Sequence, residues 1–327
     1  MPYPDLLQPE LGQYQSQVTT PDDFAAFWEA TLAEARGIGG AVSITKVPNG
    51  LKAVEAFDVT FPGYGGHPVK GWLVLPAQRE GQKLPLLVQY VGYGGGRGFA
   101  HESLHWAASG YAYFRMDTRG QGSSWSVGDT PDPVGTTPAI PGVMTKGILD
   151  KNDYYYRRVF TDAVRAVDAL IGQDFVDADR IAVCGGSQGG GIALAVAGID
   201  PRVKAAMPDV PFLCDYPRAV QKAARDPYGE LVRYMAQHRD KIDQVFKTLS
   251  YFDGVNFARQ ASAPALFSVA QMDDICPPST VYGAFNAYAG SDKEIVDYQF
   301  NNHEGGGPFQ DVRQMEWLGR RFGTISS

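Results

Sequence analysis

The sequence predicts an α/β protein, with a mostly parallel twisted sheet, helices on both faces and antiparallel strands at the N-terminal end. Three observations support this fold class. Short apolar runs alternate with helical patterns from residue 86 onward. Two earlier strand-like runs, 54–61 and 69–75, are separated by a Gly- and Pro-containing stretch that is typical of a hairpin. Of the 327 residues, 44% are hydrophobic and 12% aromatic, which is enough to fill a large core.

The N-terminal helix is the first element with clear boundary residues. We expect Thr20 to cap it, Pro21 to occupy its first position and Gly37 to end it. The acidic residues Asp22 and Asp23 suit the positive end of the helix dipole. The other predicted elements are strands at 86–90, 111–116, 181–183, 205–207, 265–270 and 295–300, and helices at 102–109, 155–171 and 190–197.

Two insertions interrupt this alternation of strands and helices. Residues 123–152 are rich in Gly, Pro, Thr and Asp and are too many for a plain connection. Residues 212–257 contain one or more helices between two strands, where a cap or a pocket wall is usual. We therefore predict a single domain over residues 1–327, with insertions at about 123–152 and 212–257.

The composition limits the class of partner. A net charge of −7 argues against nucleic acid and against anionic membranes, and favours a small substrate. Cys184, Cys214 and Cys276 are odd in number and widely spaced, so they predict neither a disulfide framework nor a zinc site. Cys276, near the candidate acid described below, is expected to be partly accessible. Residues 1–5 lack the features of a signal peptide, and a cytoplasmic protein without metal or organic cofactor is expected.

The most informative motif is Gly-Gly-Ser-Gln-Gly at 185–189, which lies between a predicted strand and a predicted helix. Strand, G-x-S-x-G and helix in this order form the nucleophile elbow of α/β-hydrolases. The glycines permit a turn too tight for side chains, so the hydroxyl of Ser187 is exposed to a base. The motif predicts an α/β-hydrolase fold with Ser187 as its nucleophile.

A base and an acid are expected after the serine, the acid before the histidine. Two histidines follow Ser187. His238 lies in an amphipathic helical pattern, whereas His303 lies in a Gly-rich loop after a strand and is the predicted base. A second loop, after the strand at 265–270, contains Asp273 and Asp274, which point in opposite directions because they are adjacent. Asp273 is favoured as the acid, and Asp274 remains an alternative.

A weaker alternative acid is Asp209, which ends an earlier strand. The reaction also needs donors for the oxyanion. One is the backbone N–H of Gln188, the residue after the serine, and the other is expected from the loop after the strand at 86–90. This loop reads Val-Gly-Tyr-Gly-Gly-Gly at 91–96, and the N–H of Tyr93 is the second predicted donor. Pro211, Phe212 and Ile275 are expected to line a small acyl pocket.

Five motifs are spread over the chain. They are Gln-Tyr-Val-Gly-Tyr at 89–93, Asp-Thr-Arg-Gly-Gln-Gly at 117–122, Gly-Gly-Ser-Gln-Gly-Gly at 185–190, Asp-Asp-Ile-Cys-Pro-Pro-Ser-Thr at 273–280 and Asn-His-Glu-Gly-Gly at 302–306. Together they resemble the acetyl xylan esterase / cephalosporin-C deacetylase family, and the resemblance covers nearly the whole chain.

This resemblance implies the deacetylation of xylooligosaccharides and other acetylated sugars, with tolerance for cephalosporin C. It implies the same nucleophile, base and oxyanion donors and favours Asp273 over Asp274. It also implies a structural role for Arg119 and a homo-hexamer in which residues 123–152 contact a neighbouring subunit. Two other functions are kept as alternatives: a serine peptidase of the prolyl-oligopeptidase type, and a non-catalytic ligand-binding protein of the same fold.

Overall fold

The computed structural model describes residues 3–79, 81–134 and 142–325. Over these residues the strands form a single sheet in the order β1-β2-β3-β5-β4-β6-β7-β8-β9. The strands are β1 Ser43–Val47, β2 Val54–Pro62, β3 Pro68–Pro76, β4 Leu84–Tyr90, β5 Ala112–Met116, β6 Val176–Gly186, β7 Ala205–Asp209, β8 Ala265–Ala270 and β9 Lys293–Tyr298.

The strand directions confirm the predicted fold class. β1, β2 and β3 pair antiparallel, and β3 pairs antiparallel with β5. From β5 to β9 every neighbouring pair is parallel. Because parallel strands end at the same edge, the loops after β4, β6, β7 and β8 meet there, and an open α/β sheet binds its ligands at this edge.

Helices cover both faces of the sheet. They are α1 Glu10–Gln13, α2 Phe24–Ile38, α3 His105–Ala108, α4 Tyr155–Ile171, α5 Gln188–Ile199, α6 Tyr216–Lys222, α7 Tyr228–Gln237, α8 Ile242–Leu249, α9 Gly254–Ala258, α10 Pro278–Ala287 and α11 Gly307–Phe322. The larger core joins α2, α4, α5 and α9 to one face, with Trp28, Phe160 and Phe257 buried in it. A smaller core joins α3 and α11 to the other face through Trp106 and Trp317.

The start of the N-terminal helix differs from the prediction. The helix begins at Phe24, because the hydroxyl of Thr20 donates to Asn256 Oδ1 at 2.7 Å and does not cap it. Gly37 is inside the helix, which ends at Ile38 before Gly39 with its φ of +69°. The local cap pattern was therefore overridden by a contact with a residue far along the chain.

Other elements also differ from the prediction. Helix α3 covers 105–108 rather than 102–109, and β1 was not predicted at all. Strand β1 lies at the edge of the sheet with a largely exposed face, so it lacks the apolar run that made the other strands recognisable. The helix predicted at 155–171 is found with these bounds, because α4 is buried along most of its length and its apolar pattern is strong.

Both predicted insertions border the edge of the sheet where the strands end. Of the first, 123–134 and 142–152 are described, and residues 135–141 lie outside the described part of the chain. The second contains helices α6 to α9. The two insertions meet where Glu230 on α7 accepts a hydrogen bond from Met144 N at 3.1 Å. In the part of the chain that the structure describes, none of the helices has both the length and the apolar character needed to cross a bilayer.

Candidate active site

Ser187 lies at the turn between β6 and α5. Its backbone has φ 57° and ψ −122°, a conformation that non-glycine residues rarely adopt. The turn is held on both sides, because Ser187 N donates to Asp209 O at 3.0 Å and Phe212 N donates to Ser187 O at 2.9 Å. Such strain persists only where the surroundings fix it, and it is typical of functional sites.

The glycines of the elbow are required by close packing. A Cβ on Gly185 would lie 2.5 Å from the backbone of Gly189, so no side chain fits there. A Cβ on Gly189 would lie 2.2 Å from Tyr90 O, which means that α5 packs directly on the end of β4. The sharp turn therefore depends on glycine at both positions.

His303 and Asp273 form a hydrogen-bonded pair beside this turn. The Nδ1 of His303 lies 2.8 Å from Asp273 Oδ2, and the Asp273 side chain is fully buried. Asp273 Oδ1 accepts hydrogen bonds from Ile275 N at 2.9 Å and Cys276 N at 2.8 Å. With Asp273 as a carboxylate, the proton of the neutral imidazole is on Nδ1, so Nε2 has a free lone pair.

The other candidate residues lie elsewhere. Asp274 forms an ion pair with Arg225 at 2.9 Å. His238 follows α7 and lies against the ring of Tyr234, with 4.4 Å between the ring centroids. The structure therefore brings Asp273, and not Asp274, to His303.

The hydroxyl of Ser187 and the ring of His303 line the same cavity. Among the described residues, the ring of His303 is hydrogen-bonded to Asp273 and not to the Ser187 hydroxyl. Hydrogen bonds between nucleophile and base are often loose before substrate binds. Proton transfer requires the Ser187 hydroxyl and Nε2 of His303 to come within hydrogen-bond distance of each other.

Cys276 was expected to be partly accessible, and this expectation is wrong. It is fully buried beneath the elbow, because its backbone is tied to Asp273. Burial raises the pKa of its thiol well above the ordinary value. Asp273, Cys276 and His303 place possible metal-ligand atoms within 4.8 Å of one another. A protonated thiol and a histidine nitrogen engaged with a carboxylate are poor metal ligands, so the group suits proton transfer better.

Backbone N–H groups of the predicted oxyanion site lie next to Ser187. A Cβ on Gly92 would be 3.9 Å from Ser187 Cβ, so the loop after β4 lies against the serine. Within the described ranges, neither Tyr93 N nor Gln188 N donates to a protein acceptor. Gln188 begins α5, where the first N–H groups have no partner inside the helix. Two free donors beside a serine can stabilise a negative oxygen.

Three side chains, two from the loop after β5 and one from the start of α5, hold the loop after β4 in place. Gln188 Nε2 donates to Val91 O at 3.1 Å, and Trp125 Nε1 donates to Tyr93 O at 2.8 Å. Gly94 N donates to Gln121 Oε1 at 2.7 Å. The position of the Tyr93 N–H is thus fixed on both sides. The sequence analysis did not predict a role for Gln121 or Trp125; the signal for Gln121 was its place in the Arg-Gly-Gln-Gly motif at 119–122.

The Tyr93 side chain is also held. Its hydroxyl donates to Glu230 Oε1 at 2.6 Å and accepts a hydrogen bond from Val143 N at 2.8 Å. Glu230 is 3% exposed, and this burial raises the pKa of its carboxyl. Sequence analysis missed Glu230, because nothing in its helical pattern distinguishes it from a surface glutamate.

Asp209, the alternative acid, does not contact His303. Its carboxylate accepts hydrogen bonds from Gln310 Nε2 at 2.9 Å and Gln314 Nε2 at 2.6 Å, both on α11. Burial raises the pKa of Asp209 from 3.8 to about 7. Asp209 therefore joins the elbow, through its carbonyl, to the helix that follows the His303 loop.

The cavity around Ser187 has a volume of about 520 Å³. Ile275, Val210 and Pro227 contribute to its lining. Pro211 and Phe212, expected in the acyl pocket, are not among the lining residues. Phe212 is fully buried behind the wall, where its ring lies 4.3 Å from that of Tyr228.

Arg119 ties the loop after β5 to α4. Its guanidinium contacts the Asp162 carboxylate through Nε at 2.5 Å and Nη2 at 2.7 Å, and both side chains are almost completely buried. Asp162 also accepts a hydrogen bond from Tyr64 N at 2.8 Å. The arginine is too deep to reach a substrate, which agrees with the structural role that the resemblance implies.

The doubly covered sheet, the strained serine at its carboxyl edge and the nearby Asp–His pair define the chain as an α/β-hydrolase. A family model described as acetyl xylan esterase matches residues 1–321. The chain belongs to the acetyl xylan esterase family and is thereby classed with the carboxylic ester hydrolases.

Solved structures and a curated relative agree with this family. The acetyl xylan esterase from Paenibacillus sp. R4 is 40% identical, with a TM-score of 0.91 over 96% of this chain and 99% of that one. Acetyl xylan esterase 1 from Thermoanaerobacterium sp. JW/SL YS485 is 30% identical, with a TM-score of 0.88 over 96% and 99%. Acetyl esterase Axe7A from Xylanibacter ruminicola is 30% identical over 92% of this chain, which spans only 66% of Axe7A.

Proposed function

We propose that this protein is a serine esterase that removes acetyl groups from small acetylated carbohydrates, including xylooligosaccharides. The observation that carries this proposal is the buried Asp273–His303 pair in the same cavity as the strained Ser187. Membership in the acetyl xylan esterase family supports the acetyl group and the sugar. We extend the proposal to the acetyl ester of cephalosporin C, since a cavity of about 520 Å³ has room for a bicyclic leaving group.

The first half of the reaction is acyl transfer to the enzyme. Nε2 of His303 takes the proton of the Ser187 hydroxyl as the serine oxygen bonds to the acetyl carbonyl carbon. The carbonyl oxygen becomes negative and accepts hydrogen bonds from the N–H groups of Tyr93 and Gln188. Asp273 stabilises the imidazolium. The bond to the sugar oxygen then breaks, and His303 gives its proton to that oxygen.

The second half is hydrolysis of the acetyl-serine. His303 takes a proton from water, and the water oxygen attacks the same carbonyl. The bond to Ser187 breaks, the serine oxygen regains a proton from His303, and acetate leaves. Of the residues named here, Ser187, His303 and Tyr93 line the cavity, and Asp273 contacts the His303 ring from behind.

We also propose a single domain over residues 1–327, supported by one continuous sheet across the described residues. A cytoplasmic location is supported by Cys184, Cys214 and Cys276, which are all free and buried. The hexamer that the family resemblance implies is supported by exposed apolar side chains near the cavity. These are Phe300, Phe309 and Val312, exposed by 75%, 80% and 50%.

The replacement Ser187→Ala tests the proposal. We expect the hydrolysis of p-nitrophenyl acetate to fall at least about a thousandfold, because the variant has no nucleophile. Intact-mass spectrometry of the unaltered protein, quenched during turnover, should detect one added acetyl group that Ser187→Ala does not acquire.

The matched control is Ser43→Ala, which alters an exposed serine on the edge strand β1 and should keep full activity. Turnover by Ser187→Ala equal to that of the control would contradict the proposal. The same assay with prolyl-peptide amides separates an esterase from a peptidase. Labelling of Ser187 by a fluorophosphonate excludes a non-catalytic protein.

A further inference from the structure

One side of the cavity contains polar side chains that the reaction does not use. Gln89 on β4 and Arg115 on β5 are direct partners in the parallel register, so they point to the same face of the sheet. Asp209 on β7 points to this face as well, and it pairs with Gly186 on the strand between. All four residues line the cavity beside Ser187.

Gly186 leaves an open space between the two polar sides. Apart from its chain neighbours, a Cβ at Gly186 would meet no atom of the described residues within 4 Å. Gln89 and Arg115 therefore lie on one side of the cavity, and Asp209 and α11 lie on the other. Gly186, which has no side chain, lies between them. A ligand can enter this space. It lies next to the nucleophile, because Gly186 directly precedes Ser187 in the chain.

Gln89 and Arg115 have unused hydrogen-bond donors. The Oε1 of Gln89 accepts from the hydroxyl of Tyr113, but among the described residues its Nε2 has no acceptor. Within the described ranges, Arg115 makes only two long contacts, to Glu102 at 3.4 Å and Ser103 at 3.5 Å. Its Nε is buried without a partner in the described part of the chain. A guanidinium that is 13% exposed and so poorly paired has donors available for a ligand.

The opposite side of the cavity offers acceptors. Asp209 and Asp311 line it, and Gln310, which precedes Asp311 on α11, donates to Asp209. Carboxylates outnumber the single arginine of the lining, so the cavity disfavours anions. Donors on one side and acceptors on the other suit a neutral molecule that carries several hydroxyl groups.

Trp125 supplies an apolar surface at the same cavity. Its side chain is exposed at 61%, although its Nε1 is held by Tyr93 O at 2.8 Å. An aromatic ring that is both exposed and fixed gives a flat face against which the C–H groups of a sugar ring can pack.

We propose that Gln89 and Arg115 bind hydroxyl groups of the sugar that carries the acetyl ester, with its ring against Trp125. This inference rests on the proposed function, since it assigns the alcohol part of that substrate to one side of the cavity. It names a neutral oligosaccharide, recognised through hydroxyl groups and a ring face, as the ligand.

Binding of unacetylated xylotriose tests the site without any reaction. Isothermal titration calorimetry should give a Kd that rises about tenfold or more in Arg115→Met and in Gln89→Leu, because each loses donors to hydroxyl groups. The control is Arg320→Met, which removes an exposed arginine at the far end of α11. Trp125 is left unaltered, since it also fixes the carbonyl of Tyr93.

Kinetics then compare acetylated xylotriose with p-nitrophenyl acetate, which has no sugar. We expect kcat/KM for the sugar ester to fall about tenfold more than kcat/KM for the simple ester in both variants. Equal falls for the two esters, or no change in either Kd or kcat/KM, would overturn the inference. If Arg115→Met does not fold by circular dichroism, Arg115→Lys replaces it, since it keeps the charge and loses the planar donors.

The two proposals fail separately. Ester hydrolysis without any xylotriose binding would overturn the sugar site and leave the esterase standing. Xylotriose binding that depends on Arg115, in a protein that hydrolyses no acetyl ester, would overturn the esterase and leave the sugar site standing.

Discussion

Glu230 shows how a single residue outside the reacting atoms can control the site. Its carboxylate accepts from the hydroxyl of Tyr93 and from Met144 N, and so fixes the residue whose N–H is the proposed oxyanion donor. In Glu230→Gln one of these two acceptors becomes a donor. We expect kcat for p-nitrophenyl acetate to fall about 3- to 30-fold with KM nearly constant, because a displaced donor weakens the transition state more than the substrate complex.

Steady-state kinetics measure this effect, and circular dichroism verifies the fold. Glu316→Gln serves as the control, because Glu316 is an exposed glutamate on α11. A rise in KM alone, or kinetics like those of the control, would show that the Tyr93 side chain does not position the oxyanion donor.

At the residue scale, the sequence was informative where the chemistry depends on a local motif. Ser187 was recognisable because an elbow needs its glycines within two residues on either side. Glu230 was not recognisable, because it lies 137 residues from Tyr93 in the chain and only the fold brings them together. Asp273 and Asp274 could not be separated by spacing, since the difference between them is the direction of one loop.

At the scale of elements, Asp209 couples β7 to α11. Its folded-state pKa, about 7, lies above the ordinary value of 3.8. Between about pH 4 and about pH 7, Asp209 therefore keeps its proton in the folded protein and loses it in the unfolded chain. The free energy of unfolding decreases as the pH rises through this interval. Asp209→Asn removes this dependence. We expect the free energy of unfolding of the original protein, relative to Asp209→Asn, to decrease by about 1 to 4 kcal/mol between about pH 5 and about pH 8.

Urea unfolding at the two pH values measures the difference. Asp22→Asn is the control, since it alters an exposed carboxylate before α2. A stability difference between the original protein and Asp209→Asn that stays the same at both pH values would rule out titration of Asp209 in this interval.

The bounds of a helix or strand were predictable where its own residues determine them. The bounds of α4 followed from its apolar pattern, because nearly the whole helix is buried in the core. The start of α2 did not follow from its local residues, since Thr20 forms its hydrogen bond with Asn256 rather than with the helix. β1 has an exposed outer edge, and an exposed strand leaves little pattern in a sequence.

At the scale of the whole molecule, the proposed hexamer makes a prediction about size. Phe309 and Val312 lie three residues apart on one face of α11 and are 80% and 50% exposed. We expect light scattering to give a mass six times that of the 35.5 kDa chain, and a smaller mass for the double variant Phe309→Ser/Val312→Ser, because burial of these side chains would stabilise the assembly. A monomeric mass for the unaltered protein would contradict the hexamer.

The fold class was predictable for the whole molecule because alternation of strands and helices allows few connections. Neighbouring parallel strands must be joined by a crossover connection. The helical patterns between the apolar runs predict these connections. The order of the strands in the sheet could not be predicted from this alternation. β4 lies between β5 and β6, and this order depends on which faces of the helices pack on the sheet.

Trp125 has a spectroscopic consequence. Trp28, Trp106 and Trp317 are buried, whereas Trp125 is largely in contact with solvent at the cavity. Acrylamide in solution should therefore quench the emission of this indole preferentially. A carbohydrate bound as proposed would shield the fluorophore, and the protein would then contain its own optical reporter of occupancy.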